Sequence, residues 1–334
     1  MMTAALAGLS RTLTAELPSA VSGRPVLIQG WVHRRRVLGA VTFLIVRDRS
    51  GLAQVVARAP EALQAVRRCG EESVVAVTGV ATRNPAAPGG TEVTDPRITL
   101  LGEPAQPPPV DLWRPAIDAA LPAILDHAAV SWRHPARRAC WELAAASLHG
   151  FRAALDELGF TEIQTPKLVP TATESGASVF GVDYFGRRAY LAQSPPDEPD
   201  LAPAHERAVG RWAAETHGSE FIAVEGYPMS KRPFYTHPQP GDGRWSNSFD
   251  LLFRGQELVT GGQRLHRYQD YLAAIRARGE DPAVYADYLE AFAHGMPPHG
   301  GFAIGLERWT GRLTQAENIR EVTLFPRDLH RLTP

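Results

Sequence analysis

A glycine-rich stretch at residues 299–308 contains residue types that could bind a nucleotide. Two glycines precede a short apolar run at 302–304, and Gly305 and Arg308 follow it. The pattern predicts a buried strand followed by a helix. Bare glycine backbone allows a flat group to lie against such a strand, and Arg308 offers a planar charged fork for a phosphate. The alternative is a strand that packs on a helix and leaves Arg308 on the surface.

The N-terminal third contains a second set of candidate residues, of the types that bind nucleic acid. A basic cluster at residues 33–36 ends one predicted strand, Phe43 lies on the next and Gln54 on the one after. Basic groups bind phosphates, an aromatic ring stacks on an unpaired base, and an amide contacts a base edge. A solvated arginine run and a core phenylalanine remain the alternative.

The charge distribution favours a polyanion as partner of the N-terminal part. Residues 1–102 contain twelve arginines, no lysine and seven acidic residues, a net charge of +5, although the whole chain carries −1. A basic module on an acidic body is typical of proteins that bind nucleic acid.

Short β runs position these N-terminal residues. Strands are predicted at residues 26–32, 41–46, 52–56, 73–80 and 98–101, with one helix at 61–68. Five short strands with one helix indicate a small OB-type barrel. A proline-rich stretch then marks a linker at residues 103–114. The predicted domains are therefore 1–102 and 115–334.

In the second domain, a long helix at 135–159 precedes a predicted strand at 160–166, and a hairpin turns at Gly186. Further predicted elements are a helix at 201–216, a strand at 220–224, paired strands at 246–254 and 257–265, helices at 270–276 and 282–293, and a helix at 306–313.

The totals exclude several classes of protein. No apolar run approaches the ~18 residues of a membrane span, and the first residues lack the pattern of a signal peptide. Cys69 and Cys140 lie far apart, without metal-type spacing or a disulfide framework. We therefore expect a cytoplasmic protein with reduced thiols and no membrane partner.

Several stretches resemble class II aminoacyl-tRNA synthetases, in particular the archaeal-type aspartyl-/asparaginyl-tRNA synthetase branch. The similarity covers about residues 22–102 and 115–334. Residues 30–56 resemble its anticodon-binding domain, 135–166 its motif 1, 299–313 its motif 3, and 324–334 (LFPRDLHRLTP) its C-terminus. The resemblance implies an OB-fold β-barrel followed by an α+β domain whose antiparallel sheet is flanked by helices, and a homodimer formed through the motif 1 region.

The resemblance also implies roles for single residues. In the family, the positions of Arg36, Phe43 and Gln54 contact the tRNA anticodon, and the aromatic ring stacks on its central base. The positions of Glu174 and Gln193 contact the amino acid.

The stretch GQELVTGGQRLH, residues 255–266, corresponds in the family to the centre of the reaction site. There, the position of Arg264 pairs with the aspartate side chain, and the positions of Glu257 and Thr260 hold a Mg²⁺ that bridges ATP phosphates. Gly305, Arg308 and Glu257 are the implied nucleotide-binding residues, and Arg264, Arg308 and Glu257 the implied catalytic residues. Aspartate is favoured over asparagine because an arginine suits a carboxylate. Taken alone, these charges would also fit a solvated strand edge.

The chain departs from the family between about residues 195 and 200. The family continues there with a pocket lysine and motif 2, whose arginine clamps the ATP α-phosphate. This chain instead has a short acidic, proline-rich bridge, and no Phe-Arg-x-Glu occurs anywhere in it. We therefore predict a deletion of motif 2, a smaller sheet, and an open question over ATP and Mg²⁺ as cofactors. Arg187, Arg188, Lys231 and Arg232 are candidate replacements for the lost arginine.

Three functions fit these residues. The first is a protein that binds tRNA of the Asp/Asn type, or aspartyl-tRNA, together with aspartate, without ordinary charging; such a protein could act as an aminoacyl-tRNA-dependent transferase. The second is an active aspartate–tRNA ligase, or an AMP-forming aspartyl amide ligase, with a substituted ATP clamp. The third is a non-catalytic tRNA-binding or regulatory paralogue. We favour an enzyme.

Overall fold

The structure is a computed structural model that describes residues 8–20, 22–170, 180–191 and 201–334. Its contacts divide the chain into two compact units, Met1–Ala139 with Leu324–Pro334 and Cys140–Thr323. The predicted domain boundaries at residues 102 and 115 remain a prediction.

The first unit contains a closed five-stranded barrel. Its strands are β1 (Pro25–Leu38), β2 (Val41–Arg47), β3 (Leu52–Ala57), β4 (Val74–Arg83) and β5 (Thr91–Leu100), and its helices are α1 (Pro60–Arg67), α2 (Leu121–Asp126) and α3 (Ala128–Ser131), with 3-10 turns at Thr14–Ser19 and Pro88–Gly90. The strand order is β1-β2-β3-β5-β4, and only β3 and β5 run parallel. The predicted OB-type barrel is confirmed.

Alternating apolar residues build the barrel core, because successive side chains of a strand point to opposite faces. Leu44, Val46, Ala53 and Val55 all belong to the buried cluster. Strand β1 extends six residues beyond its predicted end, since its arginines continue the pairing with β2 up to Leu38. The apolar pattern missed this extension because the added residues are mostly polar.

The second unit contains the remaining elements. They are α4 (Pro135–Glu157), which begins in the first unit, β6 (Leu168–Val169), β7 (Gly181–Tyr184), β8 (Arg187–Leu191), α5 (Pro203–His217), β9 (Phe221–Glu225), β10 (Pro238–Gln239), β11 (Asp242–Ser246), β12 (Ser248–Phe253), β13 (Gln256–Arg264), α6 (Tyr268–Ala277), α7 (Ala286–Ala293), β14 (His299–Ile304) and α8 (Leu306–Thr314), with 3-10 turns at Met229–Lys231, Pro282–Tyr285 and Ile319–Glu321.

A four-stranded antiparallel sheet is the frame of this unit. Its order is β14-β13-β12-β9. Phe253, Leu258 and Val259 pack against Trp309 and Leu313 of α8, so the sheet buries one patch under that helix. The predicted α+β arrangement of an antiparallel sheet with flanking helices is confirmed.

The structure contradicts two of the predictions for this unit. Residues 160–166 form no strand, and Ile163 is 73% exposed. An extended segment needs a partner strand for its backbone groups, and none lies beside it among the residues that the structure describes. Strand β14 exists but is not buried, since Phe302 is 50% exposed. Among the described strands, β14 lies at the edge of the sheet and pairs with β13 alone.

Candidate functional site

A cavity of about 1110 Å³ lies in the second unit. It is bounded by β13, β14, the start of α5, the face of α8 and the segments 232–236 and 284–288. The volume is slightly above the usual range of about 300–1,000 Å³ for small-molecule sites. Five of the predicted site residues line it, namely Glu257, Thr260, Arg264, Gly305 and Arg308.

Arg308 and Glu257 form an ion pair at one end of this cavity. Arg308 Nη1 donates to Glu257 Oε1 at 2.8 Å and to the Glu257 carbonyl at 2.9 Å. Gly305 is the N-cap residue of α8. A Cβ at Gly305 would lie 3.2 Å from Arg308 Cδ, so the glycine makes room for the side chain to fold back along the helix start. The pair therefore joins α8 to the beginning of β13.

A β-bulge brings Glu257 and Thr260 to the same cavity. The two residues are three positions apart, an odd spacing that puts side chains on opposite faces of a regular strand. The pairing of β12 with β13 skips Leu258 between the Leu251–Val259 and Leu252–Glu257 pairs. Such a bulge changes the direction of the side chains on one side of it, and both residues line the cavity.

The surroundings of Glu257 disfavour its negative charge. Partial burial raises the pKa of the Glu257 carboxyl above its ordinary value; Arg308 opposes this effect, whereas the nearby Asp250 and Glu206 add to it. Glu206, on α5, accepts a hydrogen bond from the Glu257 backbone N–H at 3.0 Å. Sequence analysis missed Glu206, whose only signal was its position in the first turn of a helix.

Arg264 lies between an aromatic ring and bare backbone. Its Cζ is 4.8 Å from the Tyr235 ring centroid, and a Cβ at Gly301 would lie 3.4 Å from its Nε. The Leu265 N–H bonds to the Tyr235 carbonyl at 2.8 Å, which fixes the ring beside the arginine. No acidic side chain of the described residues pairs with the Arg264 guanidinium, so the fork is available to a carboxylate ligand.

A buried network holds Thr260 in place. Arg232 donates from Nη1 to Thr260 Oγ1 at 3.2 Å and from Nη2 to Asp250 Oδ1 at 3.1 Å. Its Cζ lies 3.9 Å from the Tyr227 ring centroid. Asp250 was not among the predicted site residues; the register places it opposite Thr260 across the sheet.

The oxygen donors present fit a Mg²⁺ site only in part. Carboxylate and hydroxyl oxygens are ligands that Mg²⁺ takes, but Glu257 already accepts from Arg308 and Thr260 from Arg232. No group of three or more potential ligand residues lies together in the described part of the chain. Phosphate oxygens and water would have to complete the six positions around the ion.

The three predicted tRNA-binding residues share the outer face of the barrel. Arg36 is opposite Phe43 in the β1–β2 pair. Gln54 is opposite Ile45, two residues beyond Phe43 and hence on the same face. Gln54 Nε2 donates to Glu92 Oε2 at 2.8 Å, and Asn84 Nδ2 donates to the same oxygen at 2.7 Å. Glu92 is a further polar group of this face that the sequence analysis missed.

The rest of the basic cluster has partners within the first unit. Arg34 Cζ lies 3.2 Å from the Trp113 ring centroid, and Arg35 Nη1 donates to the Val66 carbonyl at 3.3 Å. Burial and the nearby Arg47 lower the pKa of His33 to about 4. Arg36 is exposed, which leaves it as the member of the cluster best placed for a phosphate.

Two predicted amino-acid contacts, Glu174 and Gln193, lie outside the described residues, as does the whole acidic bridge at residues 195–200. None of the helices described is long and apolar enough to span a membrane.

Two known families match different parts of the chain. Residues 26–101 match the profile of the OB-fold nucleic acid binding domain. Residues 122–196 and 198–329 match that of tRNA synthetases class II (D, K and N).

Two relatives align with nearly the whole of this chain. The aspartate–tRNA(Asp/Asn) ligase of Thermus thermophilus is 34% identical over 430 residues, which cover 97% of this chain and 100% of that protein. The Deinococcus radiodurans ligase of the same name is 33% identical over 438 residues, with 98% and 99% covered. Both alignments are longer than the 334 residues of this chain, so they include positions with no residue here.

Solved structures show the same fold. Asparaginyl-tRNA synthetase from Pyrococcus horikoshii, complexed with asparaginyl-adenylate, superimposes with a TM-score of 0.84 at 22% identity, covering 97% of this chain and 100% of that one. Aspartyl-tRNA synthetase from Entamoeba histolytica gives a TM-score of 0.84 at 22% identity, covering 98% and 93%. Together with the sequence matches, these findings show that the chain belongs to the aspartyl-/asparaginyl-tRNA synthetase family of class II.

Proposed function

We propose that this chain binds a tRNA through its barrel and an aspartate or aspartyl group in the cavity, without charging tRNA at the rate of a complete synthetase. The observation that carries the proposal is the combination of Arg264, a cavity-lining arginine that we predict to bind a carboxylate, with a sequence that contains no Phe-Arg-x-Glu. Arg264 of the predicted amino-acid site lines the cavity, whereas we predict that the pocket lysine and the α-phosphate clamp of the family are missing.

Two observations support the loss of motif 2. The family match is interrupted after residue 196 and resumes at residue 198, within the acidic bridge where the deletion is predicted. The alignments with the relatives also contain many more positions than this chain has residues. A segment removed at the bridge would account for both.

The open edge of the sheet supports the same deletion. Phe302 and Ile304 of β14 are exposed apolar side chains on an edge strand. The strand carries no lysine, proline or bulge of the kind that natural proteins use to protect an edge. A neighbouring strand pair, now deleted, would have covered it.

The expected chemical consequence is slow or absent activation of aspartate. Attack of a carboxylate on the ATP α-phosphate depends on donors already aimed at the developing charge, and removing one such donor costs ~10²–10³ in rate. ATP and Mg²⁺ would be held by Arg308, Gly305, Glu257 and Thr260, with phosphate oxygens completing the shell of the ion. Bound Mg²⁺ would neutralise phosphate charge.

An aminoacyl-tRNA-dependent transfer would use the retained parts. The aspartyl ester on the tRNA 3′ end would enter the cavity, with its side-chain carboxylate on Arg264. An amine or hydroxyl of an acceptor would attack the ester carbonyl, lose its proton and release the tRNA hydroxyl. The space left by the deleted segment would admit that acceptor.

A homodimer fits the surface of the motif 1 region. Phe160 and Ile163 are exposed and apolar, beside Leu158 at the end of α4, and the segment 160–166 has no partner strand in the described part of the chain. A second copy would cover these residues and supply the missing strand pairing. Asp/Asn-type tRNA as the partner and a cytoplasmic location likewise stay predictions.

Two alternatives remain. An active ligase would need a new cation in place of the motif 2 arginine. Several arginines line the cavity and could supply that cation, so this alternative is also tested. A non-catalytic tRNA-binding paralogue would keep the barrel face while its cavity had no role, so Arg264→Gln would leave its function unchanged.

The transfer proposal is tested with tRNA charged with labelled aspartate. The chain should bind this tRNA and, given hydroxylamine as a simple acceptor, release label faster than a matched Arg264→Gln variant. Transfer would be ruled out if both proteins released label at the same rate, or if label left the tRNA no faster than in a reaction without protein.

A further inference from the structure

Three arginines converge on the turn that leads into β13. Arg207 lies on α5, and Arg308 and Arg312 lie one turn apart on α8; all three line the cavity. Each is next to one of three consecutive positions, since Arg207 packs on Gly255, Arg312 Nε donates to Gln256 Oε1 at 2.6 Å, and Arg308 pairs with Glu257.

Arg207 is held beside this turn by close backbone packing. A Cβ at Gly255 would lie 3.0 Å from Arg207 Cα, and a Cβ at Gly210 would lie 2.6 Å from Gly255 Cα. The two glycines therefore allow α5 to approach the turn more closely than side chains would permit. The backbone position of Arg207 therefore follows from this close contact between α5 and the turn.

The guanidinium groups have unused donors. Arg207 is exposed and forms no hydrogen bond or ion pair with the described residues. Arg312 uses its Nε for Gln256, and Arg308 uses Nη1 for Glu257, so the other N–H groups of both side chains have no hydrogen-bond partner among the described residues. Three positively charged residues that line one cavity favour an anion with several oxygens.

The earlier candidates for a replacement cation fit this role less well. Arg187, Arg188 and Lys231 are not among the residues that line the cavity. Arg232 lines it, but its guanidinium is buried and bonded to Asp250 and Thr260. Arg207 is the arginine on a neighbouring helix that both lines the cavity and keeps its donors.

We propose that Arg207 is a phosphate-binding residue that completes, with Arg308 and Arg312, a site for a polyphosphate such as the triphosphate of a nucleotide. This site extends the proposed function and rests on it in one respect, since the aspartyl group is taken to lie at Arg264. It requires no aspartate and no tRNA for binding. A bound nucleotide need not react, because no α-phosphate clamp from motif 2 is required to hold it.

Calorimetric titration without aspartate or tRNA tests this site, with inorganic tripolyphosphate and ATP as probes. The wild-type chain should bind both, and tripolyphosphate should displace ATP whereas adenosine should not. Arg207→Gln should weaken tripolyphosphate binding by on the order of 10-fold, the usual effect of losing a charged hydrogen-bond donor. Arg207→Lys, which keeps the charge but loses the fork, should bind with intermediate affinity.

Arg211 provides the matched control. It is an exposed arginine on the same helix, one turn further along, and does not line the cavity, so Arg211→Gln should bind tripolyphosphate like the wild type. Unfolding temperatures of all variants check that each one folds.

Three results would overturn the proposal. They are wild-type affinity in Arg207→Gln, an equal loss in Arg211→Gln, and no binding of tripolyphosphate by the wild type. A short RNA ending in CCA serves as a competitor. If this RNA displaced ATP as effectively as tripolyphosphate does, the arginines would be assigned to RNA phosphates instead. None of these outcomes decides whether aspartyl-tRNA is a donor, so the two proposals can fail separately.

Discussion

Arg308 Nη1 lies 2.8 Å from Glu257 Oε1 and 2.9 Å from the carbonyl oxygen of the same residue. One guanidinium nitrogen thus binds the side chain and the backbone of a single residue. This contact joins the motif 3-like helix α8 to the strand that carries Thr260 and Arg264. A phosphate that binds Arg308 must compete with Glu257, or must use the other nitrogen.

The contact predicts how Glu257 titrates. Burial raises the pKa of the Glu257 carboxyl, and Arg308 opposes that rise. In Arg308→Ala the opposing charge is gone, so the pKa of Glu257 should rise further. Carbon NMR of labelled glutamate carboxyls would measure both proteins, with Glu257→Gln to assign the signal. A midpoint that falls or stays unchanged in Arg308→Ala would contradict the ion pair.

The same shift affects stability in a definite direction. A carboxyl whose pKa is higher in the folded protein binds its proton more tightly there than in the unfolded chain. The contribution of Glu257 to the free energy of unfolding should therefore decrease as pH rises from the ordinary pKa of glutamate to the raised one. Arg308→Ala should extend this loss to higher pH, as urea titrations at several pH values would reveal.

Arg264 should determine aspartate binding. Its guanidinium pairs with no acidic side chain of the described residues, lies beside the backbone of Gly301 and is flanked by Tyr235. Arg264→Gln should weaken aspartate binding ~10-fold or more, because a charge-assisted contact is worth ~1.5–3 kcal/mol. Arg267→Gln, at an exposed position just before α6, is the control and should bind aspartate normally. Calorimetry with aspartate and asparagine would also report the preference for a carboxylate.

Breaking the buried pair beneath Thr260 should destabilise the second unit. Arg232 and Asp250 have side chains 7% and 6% exposed, and removal of one member leaves a buried charge. Asp250→Ala should therefore lower the free energy of unfolding by ~3–5 kcal/mol. The double variant Arg232→Met, Asp250→Ala should lose less, because no charge remains unpaired. An Asp250→Ala protein as stable as the wild type would show that water reaches the pair.

The outer face of the barrel should bind single-stranded RNA by stacking. Phe43 is half-buried, beside the exposed Arg36. Phe43→Ala should weaken tRNA binding by ~1–3 kcal/mol, whereas Phe43→Tyr should retain it. Arg36→Ala should weaken binding and lower the salt dependence by about one phosphate contact. Filter binding at several salt concentrations would measure both, and an effect of Phe43→Tyr equal to that of Phe43→Ala would argue against stacking.

Sequence patterns predicted the elements that bury alternating or periodic apolar residues. The barrel core, the hairpin at Gly186, the β12–β13 pair turning at Gly255 and helix α8 all lie close to their predicted positions. These elements are set by local periodicity and by glycine turns, so they can be inferred without knowledge of their neighbours.

The same patterns failed where a neighbour decides the outcome. The apolar run in β14 suggested burial, but burial requires a neighbour that covers the face of the strand, and Phe302 and Ile304 line the open cavity instead. Residues 160–166 have the composition of a strand, but a strand requires a partner. Neither the cover for β14 nor a partner for residues 160–166 can be inferred from the sequence of the segment itself.

The sequence predicted which residues belong to the candidate site, but not the geometry that brings them together. Glu257, Thr260, Arg264 and Arg308 line one cavity, although only a bulge at Leu258 allows Glu257 and Thr260 to do so. Arg207 was missed because it occupies an unremarkable position in a charged helix. Its approach to the turn depends on Gly210 and Gly255, which are 45 residues apart in the chain.

Aspartate-dependent exchange of pyrophosphate into ATP is the decisive measurement for the proposed loss of activation. It should be run beside a tRNA-binding assay on the same preparation, with Arg308→Ala as the control. We predict that the wild-type chain binds tRNA and that its exchange does not exceed the level of the control. Exchange that is robust in the wild type and lost in Arg308→Ala would contradict this prediction and establish an active ligase with a substituted phosphate clamp.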